Sequence, residues 1–174
     1  MKKLFFPAAL LIVIGTSSFV FFKSLDWEIS DNYFVKFDGG DPSGEFRGLK
    51  GIIKFDPGDL NASIFDCTVD VASINTGNGM KNTHAKSDKW LDAEKYPVIR
   101  FTSKKISKAD TGFEAAGTLD FHGVQRDIVI PFTFENSVFK SNFEVNRLDY
   151  KINTEEPNHG AAVLKVSLNV PVTQ

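Results

Sequence analysis

The sequence predicts an all-β domain carrying one short helical insert. Two observations give the β class. From residue 26 onward, apolar and polar residues alternate with period two in run after run. These runs are separated by clusters of Gly, Pro, Asp and Asn, the residues that tolerate or pre-set turn conformations. The third observation is the exception. Residues 76–101, TGNGMKNTHAKSDKWLDAEKYPVIRF, do not alternate.

The insert has its own punctuation. Thr76-Gly77-Asn78-Gly79 stops the strand before it. Met80, His84, Ser87 and Leu91 then recur at helical spacing. Ser87 reads as the N-cap of a short turn of helix carrying Trp90 and Leu91. Pro97 disfavours helix at Tyr96 and opens the next strand. Such an insert either covers an open barrel end or packs on the outside of a sheet.

The strands follow in order. Residues 26–37 alternate through Tyr33, Val35 and Phe37, and Asp38-Gly39-Gly40-Asp41-Pro42 turns the chain. Residues 44–55 form a second strand, with a bulge or bend expected at Gly48 and Gly51. Residues 61–74 form the third, with Ser63, Phe65, Cys67, Val69 and Val71 on one face. After the insert come residues 98–106 and then 111–121, where Phe113, Ala115, Gly117, Leu119 and Phe121 share a face. His122-Gly123 makes a tight turn into a strand with Ile128, Ile130, Phe132 and Phe134 on one face. Residues 138–150 follow with Phe139, Phe143 and Val145 inward, then a polar loop at 153–160 and a last strand ending near Val172. Eight strands joined mostly by short turns favour antiparallel neighbours. Eight can close into a barrel that is either filled by side chains or holds one small ligand, and a two-sheet sandwich has the same local pattern.

Composition narrows the function. The chain has 174 residues, enough for one ordinary domain with a core. Its 17 Phe are a large apolar inventory for a small β domain, so some are expected to line a cavity. The net charge of −2, with both signs interspersed, argues against nucleic acid as a partner. The single cysteine, Cys67, permits no internal disulfide and sits in an alternating strand as a buried inert thiol.

Residues 1–22 read as a targeting segment. Lys2 and Lys3 precede an apolar run at 4–14, and Gly15, Thr16, Ser17 and Ser18 are small residues where a signal peptidase could cut. There is no A-x-A site, and Phe19 to Phe22 continue the run to a length that can span a bilayer. The segment is therefore a signal peptide or an N-terminal membrane anchor. The domain at 23–174 is expected outside the cytoplasm, in the periplasm of a bacterium.

No catalytic constellation stands out. The three histidines, His84, His122 and His159, have neither H-x-H nor HExxH spacing, so no metal or cofactor is expected. There is no G-x-S-x-G, and Cys67 has no His partner in sequence. Arg147 and Asp149 read as a charge pair at the outer face or rim of a strand. Lys81, His84 and Lys86 either meet a polar head group or form a solvated helix face.

Four blocks carry a family resemblance. They are Gly44-Glu45-Phe46-Arg47-Gly48 with Gly51-Ile52-Ile53-Lys54-Phe55-Asp56-Pro57; Val69-Asp70-Val71-Ala72-Ser73-Ile74-Asn75-Thr76; Ser87-Asp88-Lys89-Trp90-Leu91-Asp92 with Tyr96-Pro97-Val98-Ile99-Arg100-Phe101; and Gly117-Thr118-Leu119-Asp120-Phe121-His122-Gly123-Val124 with Asn146-Arg147-Leu148-Asp149-Tyr150. In this order they resemble the YceI-like family over nearly the whole exported domain. The resemblance implies an eight-stranded antiparallel, lipocalin-like barrel with a helical cap and an apolar pore. It also implies a long-chain amphiphile as ligand: a polyisoprenoid, a fatty-acid derivative or a quinone-like lipid. The sequence departs from the family pattern at Lys81-Asn82-Thr83-His84-Ala85-Lys86, which lacks the usual charged pair and Leu around the His. It departs again at Asp38-Gly39-Gly40, where a His is usual. Both departures fall at the barrel mouth and bear on the head group.

The expected role is that of a lipid-binding protein rather than an enzyme. By alternation, Phe46, Phe65, Val69, Phe101, Phe121, Phe132 and Phe143 are the pore liners, with Trp90 at the cap. Lys81, His84 and Lys86 are the head-group candidates. The alternatives are an isomerase acting on a bound lipid, which needs a titratable group inside the pore, and a filled barrel acting as an interaction module.

Overall fold

The computed structural model describes residues 26–174. The targeting segment expected at 1–22 lies outside them. The strands are β1 (Asp26–Ile29), β2 (Phe34–Asp38), β3 (Ser43–Phe46), β4 (Lys50–Lys54), β5 (Ile64–Asp70), β6 (Val98–Lys108), β7 (Phe113–Phe121), β8 (Val124–Glu135), β9 (Val138–Asn146) and β10 (Val163–Thr173). All pairings are antiparallel and join neighbours from β4 through β10. β1 pairs with both β4 and β10, while β2 pairs with both β3 and β10. β1 with β2 therefore forms one wall strand, and β3 with β4 another. The result is a closed, eight-stranded up-and-down barrel, which removes the exposed edges an open sheet would leave.

The two breaks have local causes. Polar turn-formers Ser30, Asp31 and Asn32 interrupt the first wall strand, which the alternation reads as continuous over 26–37. In the second, Gly48 has φ +69° and Gly51 has φ +145°, conformations that L side chains resist. A Cβ on Gly51 would also collide with the carbonyl oxygen of Asp66 on β5. The bend expected at these glycines is present. His122 and Gly123 both have positive φ, 54° and 70°, as a two-residue hairpin turn between β7 and β8 requires.

The helix lies earlier than the spacing suggests. α1 spans Gly79–Lys86, and its N-cap is Asn78, whose side chain accepts from the backbone N–H of Met80 and Lys81. Ser87 ends this helix instead of starting one. Its N–H reaches the His84 carbonyl at 3.1 Å and its hydroxyl donates to the same oxygen at 2.7 Å. Trp90 and Leu91 stand in the turn that follows. Met80 is 82% exposed, so the periodic residues do not form one buried face.

The last expected strand before the polar loop is also shorter. Its ladder ends at Asn146, whose side chain accepts from Leu148 N–H at 3.0 Å and starts a 3-10 turn over Arg147–Tyr150.

Two apolar clusters fill the ends of the barrel. The lower end collects Ile53, Phe55, Ile106, Ala115, Phe132, Phe139, Val170 and Val172. At the upper end, Phe37, Phe46, Val71, Ile74, Leu91, Phe121, Tyr150 and Ile152 are the main members. α1, the 38–43 turn, the 122–123 turn and the 147–162 connection all lie at this upper end, because they join the strands there.

Candidate functional site

Between the two clusters lies a cavity of about 260 Å³. Every wall strand contributes to it. Alternation turns Phe65, Cys67 and Val69 of β5 inward, and does the same for Ala115, Leu119 and Phe121 of β7. β9 supplies Phe139, Ser141, Phe143 and Val145, and β10 supplies Leu164, Val166, Leu168 and Val170. Phe46, Phe101 and Phe132 complete the set of residues read from alternation, and all of them border the cavity. Trp90 closes over it beside Leu91 and Ala85 of the insert and Gly160 and Ala161 of the last connection. The insert thus stands over the barrel end.

No carboxylate and no histidine lines the cavity among the described residues. Lys36 and Lys140 reach its border from exposed, outward-facing positions. Ser141 is buried, and its hydroxyl is spent on the Pro131 carbonyl at 2.5 Å. Burial, with a smaller contribution from the Asp66 charge, pushes the Cys67 thiol up to about 12, so it stays protonated and unreactive at neutral pH. Among the described residues no group of three or more His, Cys, Asp or Glu converges as a metal site.

Arg147 is where the strand reading fails. It is not half of a rim pair with Asp149; it is 2% exposed and borders the cavity. Nε donates to the Ala161 carbonyl at 3.0 Å, and Nη1 to those of Ile152 at 2.6 Å and Asn153 at 3.0 Å. Nη2 donates to Pro157 at 3.0 Å and His159 at 3.1 Å. All five guanidinium N–H groups are used on neutral carbonyls, and the group holds the 151–161 connection down over the barrel end. Burial lowers its pKa from the usual arginine value. Asp149 instead lies 3.9 Å from Arg126. Arg147 continues the inward parity of Phe139, Phe143 and Val145, and the 3-10 turn after Asn146 is what parts it from Asp149.

The three head-group candidates do not line the cavity. Lys81 is exposed, with its Nζ 2.5 Å from an Asp41 carboxylate oxygen. Lys86 is half-buried. His84 meets the cavity indirectly: the Trp90 indole N–H donates to His84 Nε2 at 2.7 Å. Trp90 also has His159 edge-on at 5.8 Å and the Arg147 guanidinium carbon 5.3 Å from its ring centre.

The YceI-like domain model matches residues 18–173. The chain belongs to the YceI-like family. Curated relatives include a UPF0312 protein of Vibrio vulnificus, 30% identical over 92 residues, covering 52% of this chain and 49% of that protein. A UPF0312 protein of Pseudomonas syringae pv. tomato is 33% identical over 92 residues, covering 52% and 48%. The chain spans about half the length of the curated relatives it matches.

Several solved structures share this fold. A Campylobacter jejuni YceI protein superposes with a TM-score of 0.65 at 26% identity, covering 100% of this chain and 99% of that one. Burkholderia cenocepacia BcnA gives 0.78 at 21% identity, covering 84% and 100%. A polyisoprenoid-binding domain of Saccharophagus degradans gives 0.60 at 16% identity, covering 85% and 97%.

Proposed function

We propose that this YceI-like barrel binds the apolar chain of an amphiphilic lipid (a polyisoprenoid, a fatty-acyl derivative or a quinone-like lipid) and carries it outside the cytoplasm. The observation that supports this is the cavity: about 260 Å³, bordered by apolar side chains from every wall strand and closed over by Trp90. At about 30 Å³ per water-sized group, that is room for on the order of nine chain carbons before any side chain moves. Each methylene taken from water contributes about 0.8 kcal/mol, from which the cost of association is subtracted. Binding therefore needs no specific polar contact, and pore length and the mouth supply selectivity. The polyisoprenoid-binding description of the Saccharophagus degradans domain is consistent with such a ligand. An isomerase would need an acid or base at the bound chain; among the described residues no carboxylate or histidine lines the cavity, Lys36 and Lys140 only reach its border from outward-facing positions, and the Cys67 thiol stays protonated. Lys2, Lys3 and the apolar run after them support export.

Native mass spectrometry of the purified protein, with solvent extraction, is the deciding experiment. A co-purified lipid, or saturable binding of polyprenyl or fatty-acyl probes, is the expected result. The absence of both a co-purified lipid and probe binding would refute the reading. For export, a reporter fused after Gln174 should be active only in a form that works outside the cytoplasm.

A further inference from the structure

The contact that closes the cavity contains a proton acceptor. Trp90 Nε1 donates to His84 Nε2 at 2.7 Å, with the two rings 5.9 Å apart and inclined at 59°. An indole nitrogen is a donor only, so this bond requires a lone pair on Nε2 and places the imidazole hydrogen on Nδ1. A protonated imidazole carries hydrogen on both nitrogens and accepts at neither. The same contact would then set two N–H donors against each other.

We propose that His84 and Trp90 form a proton-operated latch: neutral His84 holds Trp90 over the cavity, and protonation frees the indole and speeds release of the bound chain. The latch rests on the lipid-binding reading above, since it regulates that cavity. Histidine is the side chain that changes charge between about pH 5 and 8, so release belongs to mildly acidic conditions.

The charged groups around the latch favour this direction. On α1, Lys81 lies one turn before His84 and is held by Asp41 of the β2–β3 turn at 2.5 Å, while Lys86 follows two residues later. Asp88 and Lys89 precede Trp90 in the turn after α1. From the 151–161 connection, His159 stands edge-on to Trp90, and its Nδ1 lies 3.0 Å from Glu156. From the 3-10 turn, Arg147 lies against the Trp90 ring, and none of its five N–H groups bonds to a carboxylate. Lys81 with Asp41 and His159 with Glu156 are thus paired. A proton on His84 adds a second positive group against the Trp90 ring, which already has the Arg147 guanidinium, bonded to carbonyls alone, against it.

The test uses stopped-flow displacement of bound N-phenylnaphthylamine, an apolar probe that stays uncharged across the range. Moving from about pH 7.5 to about pH 5.5 should speed release by about three- to tenfold, the worth of one hydrogen bond. His84→Gln should release slowly at both values, because an amide oxygen accepts from the indole without titrating. His159→Asn should keep the wild-type response. A ligand-free readout stands beside it: in nitrogen–proton correlation spectra, the Trp90 indole resonance should move between the two values. The Trp27 resonance should stay, since that indole donates to the Phe55 carbonyl at 2.9 Å. Equal release rates at both values, a full response retained in His84→Gln, or a stationary Trp90 resonance would each overturn the latch. If Trp90 titrates with His84 but no probe binds at any pH, the binding reading fails and the latch loses its role as a release device.

Discussion

The rings of Phe55 and Phe132 meet edge to face, with centroids 5.4 Å apart and planes at 73°. Phe55 also packs against Phe65, Phe113, Phe134 and Phe139, and it is only 1% exposed. These rings come from five different strands or their ends and stop the barrel at its lower end. The abundant phenylalanine is therefore divided between a plug and a pore wall, and Phe132 belongs to both.

That division separates two substitutions. Phe55→Ala removes the centre of the plug and should cost about 3–5 kcal/mol of stability in a denaturant titration. Phe132→Ala should cost a similar amount but also lengthen the cavity, because its ring borders it. A chain-length series of fatty-acyl probes should then peak at longer chains for Phe132→Ala than for the wild type. An unchanged peak would remove the plug as the measure of ligand length.

Arg147 should resist conservative replacement. Lysine keeps the charge but lacks the planar five-donor fork, so Arg147→Lys leaves several of the five carbonyls unpaired. We expect a loss of about 2–4 kcal/mol, at about 1–3 kcal/mol per orphaned buried group. Amides of residues 152–160 should exchange faster with solvent. Wild-type stability and exchange would rule out the guanidinium as what holds this connection.

Alternation made the wall legible in the sequence and left the mouth illegible. Phe65, Val69, Phe121 and Phe143 face the cavity because a regular strand turns every second side chain inward, and the hairpin ladders keep that register. Position 147 has the inward parity of Phe143 and Val145, but its charge argues for the rim, and the 3-10 turn that begins there breaks the period before Asp149. Ser87 looks like a cap in the sequence, but Asn78 satisfies the first helical N–H groups, and this competing cap starts the helix nine residues earlier. The Trp90–His84 bond joins positions six apart across the end of α1, a spacing that no helical or strand pattern marks.

Val69→Trp tests whether the cavity is space the protein can fill. The Val69 side chain borders it, so an indole there has somewhere to go. Stability should change by about 1 kcal/mol or less, whereas overpacking a filled core costs about 1–3 kcal/mol. Binding of N-phenylnaphthylamine should fall sharply. A strongly destabilised variant would mean that the wall cannot accommodate the ring and the barrel behaves as filled.

On the outer wall, Asp66 of β5 takes a two-pronged contact from Arg100 of β6, Nε to Oδ1 at 2.8 Å and Nη2 to Oδ2 at 2.5 Å. The Arg100 hydrogen bonds hold the Asp66 carboxyl below its ordinary value. Because the folded pKa is the lower one, the contribution is complete above the unfolded value of about 3.9 and is lost as pH falls through the folded value. Arg100 is 54% exposed, so solvent screening keeps the pair's contribution small. Arg100→Gln should be slightly less stable than the wild type at neutral pH, with the difference vanishing in strong acid. A constant difference down to about pH 2 would assign the loss to packing.

Trp90 offers the sharpest separation between gate and scaffold. Its ring is half-buried, touches His84, His159 and Arg147, and borders the cavity, while the β ladders close without it. Trp90→Ala should therefore cost only about 1–2 kcal/mol, less than truncating a fully buried aromatic residue. Its effect on release should be larger, because the departing chain must pass the place the indole occupies. Trp90→Phe keeps an apolar ring over the cavity but has no N–H to offer His84, so it should release faster than the wild type and slower than Trp90→Ala. Its release rate should also lose the response to acid. If Trp90→Ala releases the probe at the wild-type rate and yet unfolds much more easily, the insert is packing scaffold, and access to the cavity lies elsewhere in the wall.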